Sequence, residues 1–334
     1  MSDVTPGTEL ERAIRSQPAE LTRLLSSPLP HQAVERLRQA RRIWVVGTGT
    51  SQHAAELAAM MLHDAGRAAA AVPSMRFVNW APPVDPADAL LLISHNAGAE
   101  TAYAATAFTM AMDAGLRVVP ITRRGGGLPE AVETVERERS HTYTVSYTSA
   151  LLQLARLAHA LGAEAYGPEV LARIPPAVQA AIEDPGTQAI PQPGRTIVLF
   201  GEGPAAVTAR EGALKIREAA RVLAEGYDVE HLLHGSAVPL DGRDHLVALT
   251  PPDSDGLVEA VTRAGELAGV PVTRVHEPAD LPPVLAQIPL TVRLQLLALR
   301  FATERGTNPD VAIEGAWADE HLWAIGMPPG FLSG

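Results

Sequence analysis

Continuous apolar runs along this chain alternate with longer stretches whose apolar positions recur every three to four residues. Such an alternation is the mark of strands taking turns with helices. Residues 8–40 have the helical spacing, broken at a proline, with a second helix ending near Arg41. Arg42–Val46 is an uninterrupted strand leading into Gly47-Thr48-Gly49-Thr50-Ser51, and Ala54–Gly66 follows as an alanine-rich helix. Ala89–Ser94 repeats the device, with a polar turn from His95 to Thr101 before a helix over Ala102–Gly115. Arg117–Thr122 is a third strand with a Gly125–Gly127 exit, and Thr142–Ser149 reads as a short strand entering a helix over Ala150–Gly162. Strands without polar alternation are buried on both faces, which predicts a parallel sheet covered by helices on each side.

Residues 163–194 hold six prolines and read as a linker with one short helix near Val178–Ile182. After it the pattern restarts. Arg195–Gly203 parallels Arg42–Gly49, each a strand with a Gly-x-Gly exit, at an offset of 154 residues, and His245–Asp253 parallels the strand ending at Ser94. The expected fold class is therefore α/β, as two three-layer α/β/α domains with parallel sheets. The expected boundaries are N-terminal helices 1–40, a first domain 41–165, a linker 166–194, a second domain 195–310 and a tail 311–334.

Length and composition agree with that picture and narrow the chemistry. At 334 residues there is material for two cores, and with 46% apolar but only 4% aromatic residues those cores are built from small and branched side chains. The absence of cysteine removes disulfides, thiolate metal sites and cysteine nucleophiles. A formal net charge of −11 argues against a nucleic-acid partner. With no secretory signal at the N-terminus and no apolar run of about 20 residues, no membrane partner is expected and the localisation is read as cytoplasmic. An anionic ligand in so acidic a chain has to be held locally, by backbone N–H groups and hydroxyls.

Strand, Gly-x-Gly turn and helix, in that order, point the amides of a helix start at an anion. Thr50 and Ser51 shift that reading from a dinucleotide toward a small phosphate ester. In parallel sheets ligands bind beyond the carboxyl ends of the strands, where the turns after Val46, Ile93 and Val145 are expected. The second chemical feature is Lys215, the only lysine beside 26 arginines. A lysine can lose its proton when buried and serve as base, nucleophile or tunable donor, which arginine cannot. Glu211, Lys215 and Glu218 fall at i, i+4 and i+7, on one helical stripe. The order of Glu211 and Lys215 also suits a surface ion pair. His234 follows sixteen residues after Glu218, before a glycine. Carboxylate, amine and imidazole together are the groups that move protons on and off a carbon beside a carbonyl. His53, His63 and His231 read as packing or surface histidines, and no ligand-spaced cluster points to a metal.

These residues resemble a known family. Ser16-Gln17-Pro18, Gly49-Thr50-Ser51, Glu211-Gly-Ala-Leu-Lys215-x-x-Glu218, His234-Gly235 and Arg305-Gly-Thr-Asn-Pro-Asp310 are similar to motifs of tandem sugar isomerase (SIS) domain proteins. The likeness is to the isomerase half of glutamine–fructose-6-phosphate amidotransferase and to stand-alone phosphosugar isomerases and deaminases. It implies that Thr50, Ser51, Ser94 and Thr101 line a phosphate site, with Asn96 where a second serine is usual. Glu218 would shuttle a proton between the first two sugar carbons, with Lys215 near the substituent on the second. His234 would serve ring opening from a neighbouring subunit, so a homodimer with a shared active site is implied. No cofactor is implied.

Two departures stand out. The turn from Ser94 to Thr101 is two residues longer than the family's. The tail reads Val311–Ala318 with Trp317 near the place of a second lysine, so Schiff-base chemistry by the tail is excluded, and with no glutaminase segment glutamine is not expected to supply ammonia. Three functions remain open: aldose–ketose isomerisation of a hexose or hexosamine 6-phosphate through an enediol or enolamine, sugar-phosphate deamination or deglycation, and non-catalytic sensing of a phosphosugar.

Overall fold

In the computed structural model, residues 7–80, 83–96, 102–128 and 130–326 are described. The chain divides into two compact units, one of residues 20–137, 146–172 and 313–334, the other of residues 1–19, 138–145 and 173–312.

The first helix, α1 (Glu9–Leu25), runs straight through Pro18 where a break was expected. Proline lacks the N–H that would bond the Ile14 carbonyl four residues back. The Gln17 side chain supplies the missing donor, its Nε2 lying 3.2 Å from Ile14 O and 2.8 Å from Gln295 Oε1. Gln17 and Gln295 are both fully buried, so the Ser-Gln-Pro motif is a solvent-free repair of the helix that also ties it to its neighbour. The actual break comes at residues 26–30, before α2 (His31–Arg38).

The unit that follows is built on β1 (Ile43–Gly47), α3 (Thr50–Asp64), β2 (Ala69–Pro73), α4 (Ser74–Trp80), β3 (Ala89–Ile93), α5 (Ala102–Asp113), β4 (Arg117–Thr122), β5 (Val132–Glu133), α6 (Val145–Leu161) and α7 (Pro168–Leu171). Its five strands are all parallel, in the order β2-β1-β3-β4-β5. The inner strands β1 and β3 are buried at every position, as their unbroken apolar runs require. On one face Trp44, Val46, Leu90 and Leu92 pack against Phe77 of α4 and Ala104, Ala107 and Ala111 of α5. Small residues on the helix let it lie close to the sheet. The strand expected at 142–149 is not one. Thr142 and Ser140 spend their hydroxyls on the Pro309 carbonyl, at 2.7 and 3.4 Å, and the helix already starts at Val145.

The second unit contains α8 (Ile174–Glu183), β6 (Ile197–Gly201), α9 (Pro204–Ala220), β7 (Ala224–Asp228), α10 (Val229–His231), β8 (His245–Thr250), α11 (Leu257–Leu267), β9 (Val272–His276) and α12 (Pro283–Arg305). Its sheet is again parallel, ordered β7-β6-β8-β9. One face of the sheet, with Val198, Phe200, Leu246 and Ala248, is covered by Leu232 and by Val258 and Val261 of α11. On the other, α9 packs on α12 through Gly212, where a Cβ would collide with Leu294 and come within 3.1 Å of Leu199 Cδ2. Among the described residues α12 is the one helix long and apolar enough to cross a membrane, but 78% of that apolar window is buried within the protein. A core helix accounts for its composition.

The motif at residues 305–310 is a clamp. Gly306 ends α12 in the left-handed region at φ 65°. Thr307 donates its hydroxyl to the Ala219 carbonyl at 2.9 Å, and the Asp310 carboxylate caps the start of α1 by accepting from Glu9 N and Leu10 N at 2.9 and 2.7 Å. Residues 313–326 then form a one-turn helix and α13 (Glu320–Ala324), with Trp317 and Trp323 held together by a 2.6 Å bond from Trp323 Nε1 to Trp317 O. Trp317 is 76% exposed.

Candidate active site

The lone lysine is entirely buried. Lys215 Nζ lies 2.6 Å from Glu218 Oε2 and 3.6 Å from Glu211 Oε1, and Glu211 is buried as completely as the lysine. The surface ion pair expected from the i, i+4 spacing is thus a solvent-free one, because Gly212 and Ala213 sink this stripe of α9 between β6 and α12. Only Glu218 keeps access to solvent, with 22% of its side chain exposed.

Burial pulls the lysine's pKa down, but the carboxylates of Glu218, Glu211 and Glu138 outweigh it and leave the pKa above the ordinary value. Lys215 is therefore an ammonium that donates, not the neutral amine that could act as base. Glu218 moves the other way from a usual ion-pair partner. Burial lifts its pKa above the ordinary carboxylate value, against the lowering pull of the Lys215 ammonium. A carboxylate raised in this way, partly open to a ligand and hydrogen-bonded to a fixed cation, can take up and return a proton.

The end of α9 that presents Glu218 is pinned. Arg221 closes the helix in the left-handed region at φ 56°, and its guanidinium bonds the Glu218 and Val311 carbonyls. Sequence reasoning passed over Glu138, whose only signal was an acidic residue in an Arg-rich loop. It is buried, and its Oε1 receives both the N–H and the hydroxyl of Thr144 at 2.8 Å. Val145, expected at a strand end, is instead the buried first residue of α6, directly after this anchored threonine. His234 is not part of the cluster. It sits on a turn made by Gly235 at φ 110°, with 74% of its side chain exposed and Nε2 4.0 Å from Glu230.

The anion-binding candidates gather in the other unit. β1 pairs with β2 on one side and β3 on the other, so the crevice between the carboxyl ends of β1 and β3 is a topological switch point. Gly49 leads from β1 into α3 with φ 53° and ψ −129°, a conformation only glycine adopts easily, and Gly47 lets the turn close because a Cβ there would collide with the Ser51 carbonyl. The first turn of α3 offers fewer open amides than expected. Ser51 N donates to Thr48 O at 3.0 Å, and Gln52 N and His53 N donate to Gly49 O at 2.9 and 3.3 Å. Hydroxyls are the other polar groups here, with Thr50 and Ser51 half-buried at this helix start. Ser94 is buried at the end of β3, its N–H fixed to Ile121 O at 3.0 Å, and Asn96 is half-buried on the same turn. Thr101 lies outside the described residues.

A groove of about 570 Å³ elsewhere, lined by Thr8, Glu11, Thr187, Leu296, Arg300 and Thr303 among others, contains none of these residues.

Residues 36–128 match the family model of the SIS domain. Over 309 residues the chain is 29% identical to the glutamine–fructose-6-phosphate aminotransferase (isomerizing) of Pyrococcus horikoshii, an alignment that covers 84% of this chain and 52% of that protein. The chain spans about half the length of the curated relatives it matches. In fold it is similar to glucosamine-6-phosphate deaminase of Thermotoga maritima, with TM-score 0.74, 20% identity, and 91% and 97% of the two chains covered. It is similar too to tagatose-6-phosphate ketose/aldose isomerase of Escherichia coli, with TM-score 0.72, 21% identity, and 92% and 96% covered. The resemblance drawn from the motifs therefore holds for sequence and fold alike.

Proposed function

We propose that this chain is a sugar-phosphate enzyme that interconverts an aldose and a ketose 6-phosphate, of a hexose or hexosamine, through an enediol or enolamine. One observation supports this above the rest: a fully buried Lys215 ammonium held 2.6 Å from a carboxylate that burial makes more basic. Glu218 takes the proton from one of the first two carbons and returns it to the other. Lys215 donates to the oxygen or nitrogen on the second carbon, where negative charge develops. The phosphate is assigned to Gly49, Thr50, Ser51, Ser94, Asn96, Thr101 and Val145. His234, whose side chain is largely exposed, opens the sugar ring from the neighbouring subunit of a homodimer. Relatives and structural neighbours named as isomerising or deaminating enzymes of 6-phospho sugars support the substrate class.

The test is proton exchange at the sugar's first two carbons. In D2O the protein should introduce deuterium at the second carbon of glucose 6-phosphate or glucosamine 6-phosphate and at the first carbon of fructose 6-phosphate, whose second carbon bears no hydrogen, read by NMR. Glu218→Gln should slow this about 10²–10⁴-fold, the range for loss of a general base, while leaving phosphosugar affinity nearly unchanged. Release of ammonia from glucosamine 6-phosphate would favour deamination. Tight binding with neither exchange nor ammonia across the panel would make the chain a sensor and refute the enzymatic reading.

A further inference from the structure

The turn at the end of β3 is held against the end of β4, and the first residue beyond β4 is an arginine. Arg123 N donates to His95 O at 3.0 Å, Thr122 Oγ1 donates to the same carbonyl at 3.0 Å, and Ser94 N donates to Ile121 O at 3.0 Å. Arg123 is thereby tied by its own backbone to the Ser94-His95-Asn96 turn. Its side chain is half-buried, and among the described residues the buried Nε has no hydrogen-bond partner. Among the described residues its guanidinium makes one hydrogen bond, a long one from Nη1 to Gly125 O at 3.5 Å.

The neighbouring arginine shows the contrast. Arg124 is satisfied, by an ion pair with Glu136 and a bond from its N–H to Val135 O at 2.8 Å. Of the other acidic side chains on this loop, Glu133 accepts from Gly125 N at 3.0 Å and Glu130 pairs with Arg36. A buried guanidinium N–H without an acceptor is costly, and a planar fork of donors is suited to phosphate.

We propose that Arg123 is a charged contact of the anion subsite at the carboxyl ends of β1 and β3, selecting ligands whose phosphate is a dianion. The proposal rests on the sugar-phosphate reading above and adds to it a fixed cation that hydroxyl turns alone do not provide. His95 does not blur the effect. Burial first, then the Arg123 and Arg137 guanidiniums, hold its pKa down at about 4, so it stays neutral while the phosphate titrates.

Isothermal titration with glucose 6-phosphate and with inorganic phosphate tests the assignment. Arg123→Gln should weaken both about tenfold, the loss expected for a charge-assisted hydrogen bond, and Arg124→Gln should change neither. With the unaltered protein, affinity for glucose 6-phosphate should rise about fourfold from pH 5.5 to 7.5, following the monoester's second pKa near 6. Equal affinity of Arg123→Gln and the parent would overturn the proposal. If that variant does not fold, a flat pH profile of the parent protein overturns it instead. Should the parent bind no phosphate ester at all, the sugar-phosphate reading falls, and this inference with it.

Discussion

Replacing Lys215 with methionine keeps the length of the side chain and removes its charge. At an effective dielectric constant of about 20, a unit charge 2.6 Å from one carboxylate and 3.6 Å from another gains about 6 and about 5 kcal/mol of attraction, before desolvation is subtracted. The variant retains Glu211 with no exposure and no cation, so the loss in stability should be about 3–5 kcal/mol, as for other buried pairs broken from one side. Relief follows if the stranded carboxyl can be neutralised. Glu211→Gln added to Lys215→Met should recover at least half the loss, and the single variant should regain stability as pH falls. The sign follows from linkage: without the ammonium, the folded-state pKa of Glu211 rises above its unfolded value, so the folded state binds more protons between the two values and stability falls as pH rises through them. All four tryptophans, Trp44, Trp80, Trp317 and Trp323, belong to the unit that does not contain Lys215, so tryptophan fluorescence is a poor reporter. Hydrogen exchange of the amides of residues 205–220 reads the right unit directly. A loss below about 1 kcal/mol, or no recovery with Glu211→Gln, would mean that the three groups are not an electrostatic unit and would remove the main support for the proposed chemistry.

Two further changes address the frame around that cluster. Gly212→Ala should destabilise by about 1–3 kcal/mol in the same exchange measurement, since the new methyl must displace Leu294 and press on Leu199; a neutral result would show that α9 and α12 can separate freely. Glu277 is a buried carboxyl raised to about 7, by burial first, with its bond from Gln287 and the nearby Glu202 as smaller influences. Its folded pKa lies above the unfolded one, so its contribution to stability is present at low pH and is lost between about pH 4.5 and 7. Glu277→Gln should therefore be more stable than the parent at pH 8, with the gap closing by pH 4.5, and a pH-independent gap would contradict this.

The sequence made the inner strands plain and the outer ones invisible for the same reason. β1, β3 and β6 are buried at every residue and print as unbroken apolar runs. β2, β7 and β9 lie at the sides of their sheets, mostly half-exposed, and their sequences Ala-Ala-Ala-Val-Pro, Ala-Glu-Gly-Tyr-Asp and Val-Thr-Arg-Val-His have no such run. Likewise the spacing of Glu211, Lys215 and Glu218 was legible, but their burial was not. It depends on Gly212 meeting Leu294, a residue 82 positions later whose proximity no local pattern contains. Glu138 was missed because its partner, Thr144, is a hydroxyl in a stretch whose β-branched residues favour a strand.

The turns after β1 and β6 show what separates the chemistry of the two units. Gly49 has φ 53° and ψ −129°, Gly203 φ 52° and ψ −123°, and each precedes a helix whose first N–H groups turn back onto the same two carbonyls. A Cβ on Gly47 or Gly201 would strike the helix that follows, at Ser51 or at 2.7 Å from Ala205 Cβ. The backbone device is the same in both, but Thr48 and Thr50 in the first turn are replaced by Glu202 and Pro204 in the second. A carboxylate and a residue without an N–H at the mouth of a helix disfavour an anion of the kind proposed for the first turn. In β6–α9 the glycines thus serve only to bring the helix down onto the sheet, and that close approach is what buries Lys215 thirteen residues beyond Glu202. One backbone solution, furnished with hydroxyls, suits a phosphate; furnished with small residues behind a carboxylate and a proline, it suits a buried charge.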